Sequence, residues 1–231
     1  GSKDISVIYA FDLEKREPVC SMCYPGNMLD VTAYSDFVGK CGIKRGIIVA
    51  DKGFPSSSAS EHFDANPDLH YLNPVKRNSK LAERHSMYEY TGVLKGHEGI
   101  LYRKDSVEGK RKFLYSFRDQ RRAAKEEADF IRRNAEEYDD SKFREKQRKF
   151  GTVVLECDLD MEPEEIYDAY SRRWEIETVM RYYKQACEFD ETRVHSDYSV
   201  YGSEFVSFLS SLLTYRILND SEKRKVLEEY S

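Results

Sequence analysis

Residues 46–51 read GIIVAD, an apolar and largely β-branched run that ends in an aspartate. Such a run is typical of a strand that is buried on both faces of a sheet. Asp51 follows it directly, ahead of Lys-Gly-Phe. In α/β proteins, ligand-binding and catalytic groups collect at the carboxyl ends of the strands. The stretch therefore predicts an α/β fold and makes Asp51 a candidate site residue.

Upstream of this strand, the sequence predicts a hairpin and a helix. Residues 5–11 (ISVIYAF) and 19–24 are two apolar, strand-like runs, and the charged segment LEKREP between them suits a turn. We therefore expect the two runs to pair in an antiparallel hairpin. Residues 28–40 follow, with four candidate buried positions of a helix: Leu29, Tyr34, Phe37 and Val38.

The middle of the chain has a different character. Between residues 71 and 117, short alternating stretches rich in Tyr, His, Gly and Lys predict a small antiparallel β region with one solvated face. Residues 119–149 are dense in charge, which predicts one or two solvated helices. Small or apolar residues recur there at helical spacing: Ala124, Ala128, Ile131 and Ala135.

Patterns typical of a core return in the last third. Residues 151–157 (GTVVLEC) predict a strand, and Pro163 suits the first turn of a long helix that runs to about Cys187. A final helix from about Ser203 carries a broad apolar face that we expect to be buried: Phe205, Phe208, Leu209, Leu212, Leu213 and Ile217.

Composition restricts the class of protein. The 231 residues are 40% hydrophobic and 34% charged, which describes a folded globular protein. No apolar run reaches the roughly 20 residues that cross a bilayer, so we expect a cytoplasmic protein without a membrane partner. The net charge of -5 is unlike that of a simple nucleic-acid coat, but it is compatible with a nuclease whose carboxylates hold metal ions.

The cysteine pattern favours buried thiols over a zinc site. Cys20 and Cys23 are three residues apart on a predicted strand, where they point to opposite faces. No second Cys or His pair follows at zinc-finger spacing.

A second candidate site lies in residues 170–184, YSRRWEIETVMRYYK. At about 100° per residue, Tyr170, Arg173, Glu177 and Lys184 share a helix face roughly 60° wide. Glu175 falls on the far side. Such a concentrated polar face is typical either of an exposed, salt-bridged surface or of a binding site.

This spacing resembles the Y-x2-R-x3-E-x6-K signature of a large branch of bacterial insertion-sequence DDE transposases. Further stretches agree, so that the resemblance runs over nearly the whole chain: YPGN ahead of Asp30, the strand before Asp51, YLNPVKRN at 71–78 and RVHSD at 193–197. The resemblance implies an RNase H-like mixed sheet flanked by helices. It also implies a β-rich and helical insertion between the second and third acidic residues, which gives three parts: 1–66, 67–150 and 151–231.

The resemblance further implies an enzyme that cleaves DNA and joins the freed end to a target. In it Asp51 is the second acid and Glu177 the third, both ligands of Mg²⁺ with Mn²⁺ as a substitute. Tyr170, Arg173 and Lys184 contact DNA phosphates. The implied partners are the double-stranded DNA of transposon ends and target, bound by a homodimer.

One departure from the family concerns its first aspartate, which lies on a first core strand. Two strands rather than three precede the helix at 28–40, and Asp12, the nearest substitute, lies in a turn. We therefore expect the first core strand to be missing and the chain to be a fragment, or a naturally shortened copy, that lacks one metal ligand, binds metal weakly and has little or no activity by itself.

Two other functions stay open. The chain can be a catalytically inactive remnant that binds DNA or protein. It can also be another RNase H-like nuclease, such as a resolvase or ribonuclease, although the long gap between Asp51 and Glu177 argues against those compact enzymes. The basic cluster Arg118, Arg121, Arg122 and Lys125 fits a DNA contact and a solvated helix start equally well.

Overall fold

The computed structural model describes residues 5–50, 59–174, 176–178, 181 and 197–223. The chain forms two compact units, one of Gly1–Gly42 with Arg172–Ser231 and the other of Ile43–Ser171. Both units contain strands and helices, which confirms the predicted α/β class. No helix within the described ranges is long and apolar enough to span a membrane.

The first unit begins with the predicted hairpin. Strands β1 (Ile5–Asp12) and β2 (Glu17–Pro25) pair antiparallel, as the two apolar runs indicated. Asp12 is the last residue of β1, and its Oδ1 accepts hydrogen bonds from the backbone N–H groups of Glu14 and Lys15 in the connecting turn, both at 2.9 Å. The Asp12 side chain therefore stabilises the turn, as its place in the sequence suggested.

Helix α1 (Asp30–Lys40) covers one face of this hairpin. Tyr34, Phe37 and Val38 are buried, as predicted. The prediction for Leu29 is wrong, because its side chain is 75% exposed. Leu29 occupies the N-cap position with extended backbone, so it does not continue the buried stripe of the helix.

A long helix, which we number α7 (Asp197–Lys223), packs on the other face of the hairpin. Tyr9 contacts Phe208, with ring centroids 6.0 Å apart, and Phe11 contacts Tyr215 at 5.2 Å. The helix begins at Asp197, six residues before the predicted start.

The prediction of a buried apolar face on α7 is wrong. Four of its residues are exposed and two are half-buried: Phe205, Leu209, Leu213 and Ile217 in the first group, Phe208 and Leu212 in the second. The buried positions are polar instead: Glu204, Ser207 and Ser211. The hairpin contacts the stripe that contains Glu204 and Phe208, and this orientation turns the leucine-rich stripe away from it.

The second unit is built on a six-stranded mixed sheet of order β3-β4-β8-β7-β6-β5. Its strands are β3 (Gly46–Val49), β4 (Leu69–Val75), β5 (Gly92–Val93), β6 (Ile100–Ser106), β7 (Phe113–Asp119) and β8 (Thr152–Cys157). Strands β3 and β4 are parallel, and every other neighbouring pair is antiparallel. Burial of β3 on both faces is not observed, because β3 lies at the end of the strand order and is half-buried.

In the described residues of this unit, five helices accompany the sheet: α2 (Ser60–Ala65), α3 (Lys80–Arg84), α4 (Gln120–Arg133), α5 (Asp140–Gln147) and α6 (Pro163–Ser171). The prediction of one or two solvated helices for 119–149 is confirmed, and there are two, α4 and α5. Asp119 caps α4 by accepting hydrogen bonds from the amides of Arg121 and Arg122, at 2.8 and 3.1 Å. The apolar residues noted at helical spacing are all exposed: Ala124, Ala128, Ile131 and Ala135.

Helices or loops cover both faces of the sheet. On one face, Ile166 of α6 packs against a cluster that includes Leu72, Tyr115 and Leu155. On the other, Ala82, Met87 and Tyr88 pack against Leu114 and Val154. One solvated face was predicted for this region, but residues 114–117 of β7 are buried on both sides, because the segment around Met87 covers the second face.

The strands of this sheet come from all three parts that the resemblance implied. Strand β3 belongs to 1–66, four strands belong to 67–150, and β8 belongs to 151–231. The middle part thus continues the sheet that β3 begins, through the parallel pairing of β3 with β4. The boundaries of the three parts stay a prediction.

Candidate functional site

Three of the five predicted site residues lie within the described part of the chain: Tyr170, Arg173 and Glu177. Asp51 and Lys184 lie outside it, as do residues 193–196 of the RVHSD stretch.

The strand before Asp51 has its apolar side chains on the sheet face that α6 covers. Ile47 and Val49 pack against the cluster that contains Leu72, Leu155 and Ile166. Ala50, the last described residue before Asp51, is buried. Strand β3 ends at Val49, two residues before Asp51 and one residue before the end of the apolar run.

Tyr170 lies in the last turn of α6. Its side chain is partly buried and packs against the same cluster as Ile47 and Val49. This contact fixes the position of the first residue of the signature within the Ile43–Ser171 unit.

The long helix predicted from Pro163 to about Cys187 is not continuous. Helix α6 ends at Ser171, residues 172 and 173 form a turn, and helical structure resumes at Trp174 and at residues 176–178. The Arg172 guanidinium donates a hydrogen bond to the carbonyl oxygen of Leu13, which accompanies the turn. The single helix face drawn from Tyr170 to Lys184 therefore does not hold across residues 171–173.

Arg173 and Glu177 do meet, as their spacing predicted. Arg173 Nη1 lies 2.9 Å from Glu177 Oε1, an i,i+4 ion pair. The Glu177 side chain is 62% exposed and that of Arg173 is 24% exposed. The pair thus presents an accessible carboxylate beside a guanidinium that is largely held by the protein.

This carboxylate has the chemistry that a hard divalent cation requires. Mg²⁺ prefers carboxylate oxygens and keeps part of its water shell, which an exposed glutamate allows. No three His, Cys, Asp or Glu side chains gather at one point in the described ranges. Glu177 is therefore the one described member of the ligand set predicted from the sequence.

The cysteines of the hairpin offer no comparable site. Cys20 packs on the α1 side of β2, whereas burial and the nearby Glu204 carboxylate on α7 raise the pKa of the Cys23 thiol to about 11. The two thiols therefore lie on opposite faces, as predicted, and both are free. A thiol with a raised pKa is a weak nucleophile and a weak metal ligand.

A polar network around Glu126 in the second unit was not predicted from the sequence. Arg77, in the YLNPVKRN stretch, binds Glu126 of α4 through both terminal nitrogens, at 2.8 and 2.9 Å. Burial by itself raises the pKa of the Glu126 carboxyl, but hydrogen bonds from Arg77, the Gly151 amide and Arg122 outweigh it and lower the pKa to about 2. Partners so far apart in sequence follow from the sheet, not from local spacing.

The comparisons with known proteins support the resemblance seen in the sequence. A family model described as Transposase DDE domain matches residues 2–202, which include all five predicted site residues. The search of curated proteins and the search of solved structures gave no match. The six-stranded mixed sheet with flanking helices is consistent with the RNase H-like core of that family. The chain therefore belongs to the transposase DDE domain family, the insertion-sequence enzymes of DNA transposition.

Proposed function

We propose that this chain is the catalytic domain of an insertion-sequence DDE transposase, which cleaves DNA phosphodiesters and joins the freed 3′ end to target DNA. The observation that carries the proposal is the ion pair of Arg173 with Glu177 at 2.9 Å. It sets an exposed acid beside a cation at the offset of the signature, in a chain of the transposase DDE domain family.

In this proposal, Asp51 and Glu177 are the metal ligands, with Mg²⁺ as the ion and Mn²⁺ as its substitute. Bound divalent ions supply charge neutralisation at the phosphate and a nucleophile at neutral pH. The strand before Asp51 supports its assignment: Ile47 and Val49 pack on the face of the sheet that α6 covers, and Asp51 follows two residues later in the sequence.

Arg173, Lys184 and Tyr170 hold the DNA. A guanidinium binds a phosphate through two parallel hydrogen bonds, so Arg173 can exchange one Glu177 oxygen for phosphate oxygens. The exchange leaves Glu177 free to act as a ligand while its neighbour fixes the phosphate. Tyr170, anchored against the core cluster, contributes a hydroxyl or a ring surface to the same strand of DNA.

The partner in this proposal is double-stranded DNA, first the transposon ends and then the target. A homodimer is the natural assembly, because two ends have to be cut and joined together.

The test is nicking of a supercoiled plasmid by the full chain, with Mg²⁺ or Mn²⁺ and with EDTA. Because the first aspartate of the family is not found in this sequence, we expect weak metal-dependent nicking, which Glu177→Gln and Asp51→Asn each reduce to the level seen in EDTA, because each removes an anionic ligand. The matched control is Glu175→Gln, the same change two residues away, at a position outside the signature. This control should nick like the wild type.

Metal-dependent nicking that survives Glu177→Gln would refute the proposed site. A wild-type chain that binds DNA without nicking it, at any metal concentration, would favour the inactive remnant that serves as a binding module.

A further inference from the structure

Two arginines lie side by side on the sheet face opposite α6. Tyr102 of β6 and both Tyr115 and Phe117 of β7 belong to the α6-side cluster, so alternation turns Arg103 and Arg118 to the other face. Arg103 pairs with Ser116 across the two strands, and Arg118 follows Ser116 by two residues. The arginines are thus diagonal neighbours, within reach of each other for side chains of this length.

Three acids on or near this face are engaged elsewhere. Asp105 binds His85 Nδ1 at 2.8 Å, and Glu156 binds Lys112 Nζ at 2.8 Å. Glu126 is shared between Arg77 and Arg122. In the described part of the chain, neither Arg103 nor Arg118 has an acidic partner within 4.0 Å.

The protein satisfies these two guanidinium groups only in part. Arg103 Nη1 donates to the backbone carbonyl of Glu89 at 3.2 Å, and Arg118 lies over the Tyr90 ring, 6.0 Å from its centroid. The Nε atoms of both arginines are buried, and among the described residues they have no hydrogen-bond partner. The fully buried hydroxyl of Ser116, between them, has none either.

Such an arrangement is costly for the folded protein. Neighbouring like charges on one sheet face repel each other, and buried donors without acceptors are rare in native proteins. Both arginines remain partly exposed, which leaves them open to a ligand. The cation–π contact of Arg118 with the Tyr90 ring uses none of the N–H donors of the guanidinium.

We propose that Arg103 and Arg118 form a phosphate-binding site that holds the backbone of a DNA duplex. The chemical class follows from the donors: two guanidiniums without an acid partner fit a tetrahedral dianion or a phosphodiester. The choice of DNA over a free phosphate rests on the proposed function. Arg118 differs in this respect from Arg122 of the same basic cluster, because Arg122 pairs with Glu126 at 2.9 Å.

The experiment measures binding of a labelled 20-base-pair duplex to the full chain by fluorescence anisotropy. It is done in EDTA, so that cleavage plays no part, and at several salt concentrations between about 50 and 200 mM. Each phosphate contact contributes about 0.9 to the slope of log affinity against log salt. We expect the double variant Arg103→Gln/Arg118→Gln to have a slope shallower by roughly 2.

The matched control is Arg132→Gln/Arg144→Gln, which removes the same charge. Both arginines are exposed and each pairs with an acid on its own helix, Asp129 and Asp140, at 2.7 Å. This control should keep a slope within about 0.5 of the wild type, because exposed paired cations release few counterions from DNA. Equal losses in both double variants would show a general charge effect and overturn the site.

Inorganic phosphate separates the two sources of the anion. For a DNA site, phosphate at millimolar concentration leaves the thermal midpoint of the wild type unchanged relative to chloride of equal ionic strength. The opposite result would be a thermal midpoint that phosphate raises in the wild type but not in the double variant, with the same salt slope of DNA binding in both proteins. It would assign the site to a free phosphate and overturn the DNA proposal.

Two further outcomes would overturn it. A double variant that fails to fold would show that the protein itself needs the guanidiniums. The variant Arg103→Lys/Arg118→Lys keeps both charges, and we expect it to fold and to retain the slope with weaker binding. If the double variant kept the wild-type slope but lost self-association, the arginines would instead bind an acidic surface of a second copy. If the double variant has a shallower slope and the wild type does not nick DNA, the proposed catalysis is refuted but the phosphate-binding site is not.

Discussion

Arg77 and Glu126, which are 49 residues apart in sequence, form a two-point ion pair of 2.8 and 2.9 Å. The Glu126 carboxylate also accepts hydrogen bonds from Arg122 Nε at 2.9 Å and from the Gly151 amide at 3.0 Å. Arg77 Nε in turn donates to the Thr152 carbonyl at 3.0 Å. One carboxylate thus joins the end of β4, helix α4 and the turn that leads into β8.

Removing this carboxylate should destabilise the Ile43–Ser171 unit. Glu126→Ala leaves Arg77 without its anion and the Gly151 amide without its acceptor. We expect the free energy of unfolding to fall by about 3 kcal/mol, as for a largely buried, hydrogen-bonded pair that loses one partner. Urea unfolding followed by circular dichroism measures the change.

The control for this variant is Glu145→Ala in α5, where the glutamate is exposed. It should change stability by less than about 0.5 kcal/mol. Equal losses in the two variants would mean that the network around Glu126 contributes nothing of its own.

The same carboxylate predicts a pH dependence of stability. The pKa of Glu126 falls from its ordinary 4.5 to about 2 in the folded protein. A lowered carboxyl pKa gives stability that is present above pH 4.5 and is lost as the pH falls toward 2. Over that window we expect the wild type to lose roughly 3 kcal/mol from this group, and Glu126→Gln to lose correspondingly less. Urea midpoints at pH 5, 4 and 3 test this, and parallel pH profiles for the two proteins would contradict it.

Gly151 is required by both its backbone angle and its surroundings. Its φ is +70°, and an added Cβ would lie 2.6 Å from both the Cβ and the backbone nitrogen of Ala123. Gly109 has the same φ of +70° and open space around it. We therefore expect Gly109→Ala to cost about 1 kcal/mol, from the backbone angle alone, and Gly151→Ala to cost at least about 2 kcal/mol more. Equal thermal midpoints for the two variants would show that the close approach of α4 to Gly151 is absent.

The orientation of α7 can be tested by exchanging polarity on its two sides. Leu213 is 61% exposed, whereas Ser211 is fully buried. Leu213→Ser should change stability by less than about 0.5 kcal/mol, because little apolar area is lost from the interior. Ser211→Leu should cost about 1–3 kcal/mol by overpacking against the hairpin. If Leu213→Ser lowered the thermal midpoint more than Ser211→Leu, α7 would have the orientation that the apolar pattern of the sequence predicted.

Local signals in the sequence predicted most elements correctly. The hairpin, α1, β3, β8 and the start of α6 at Pro163 all appear where periodicity and turn chemistry indicated. The errors concern burial, as at Leu29 and on α7, and the continuity of the helix after Ser171. Apolar periodicity reports that a helix has two unlike faces, but it does not report which face a neighbouring strand will cover.

The candidate site divides in the same way. The contact of Arg173 with Glu177 was predictable, because residues four apart on a helix are neighbours whatever surrounds them. The roles of Asp51 and Lys184 remain predictions from the family signature. No local pattern pointed to Arg103, because its exposure to a ligand depends on which acids other strands and loops bring near.

The amino-acid sequence by itself determined the order of the strands and helices, the family, and the offset that sets Arg173 beside Glu177. These features depend on interactions between residues close along the chain. Only the tertiary structure decided the partner of Arg77, the outward face of α7 and the pair formed by Arg103 and Arg118. Each of these depends on strand order and register, which bring together residues that are distant in sequence and decide which charges find a partner.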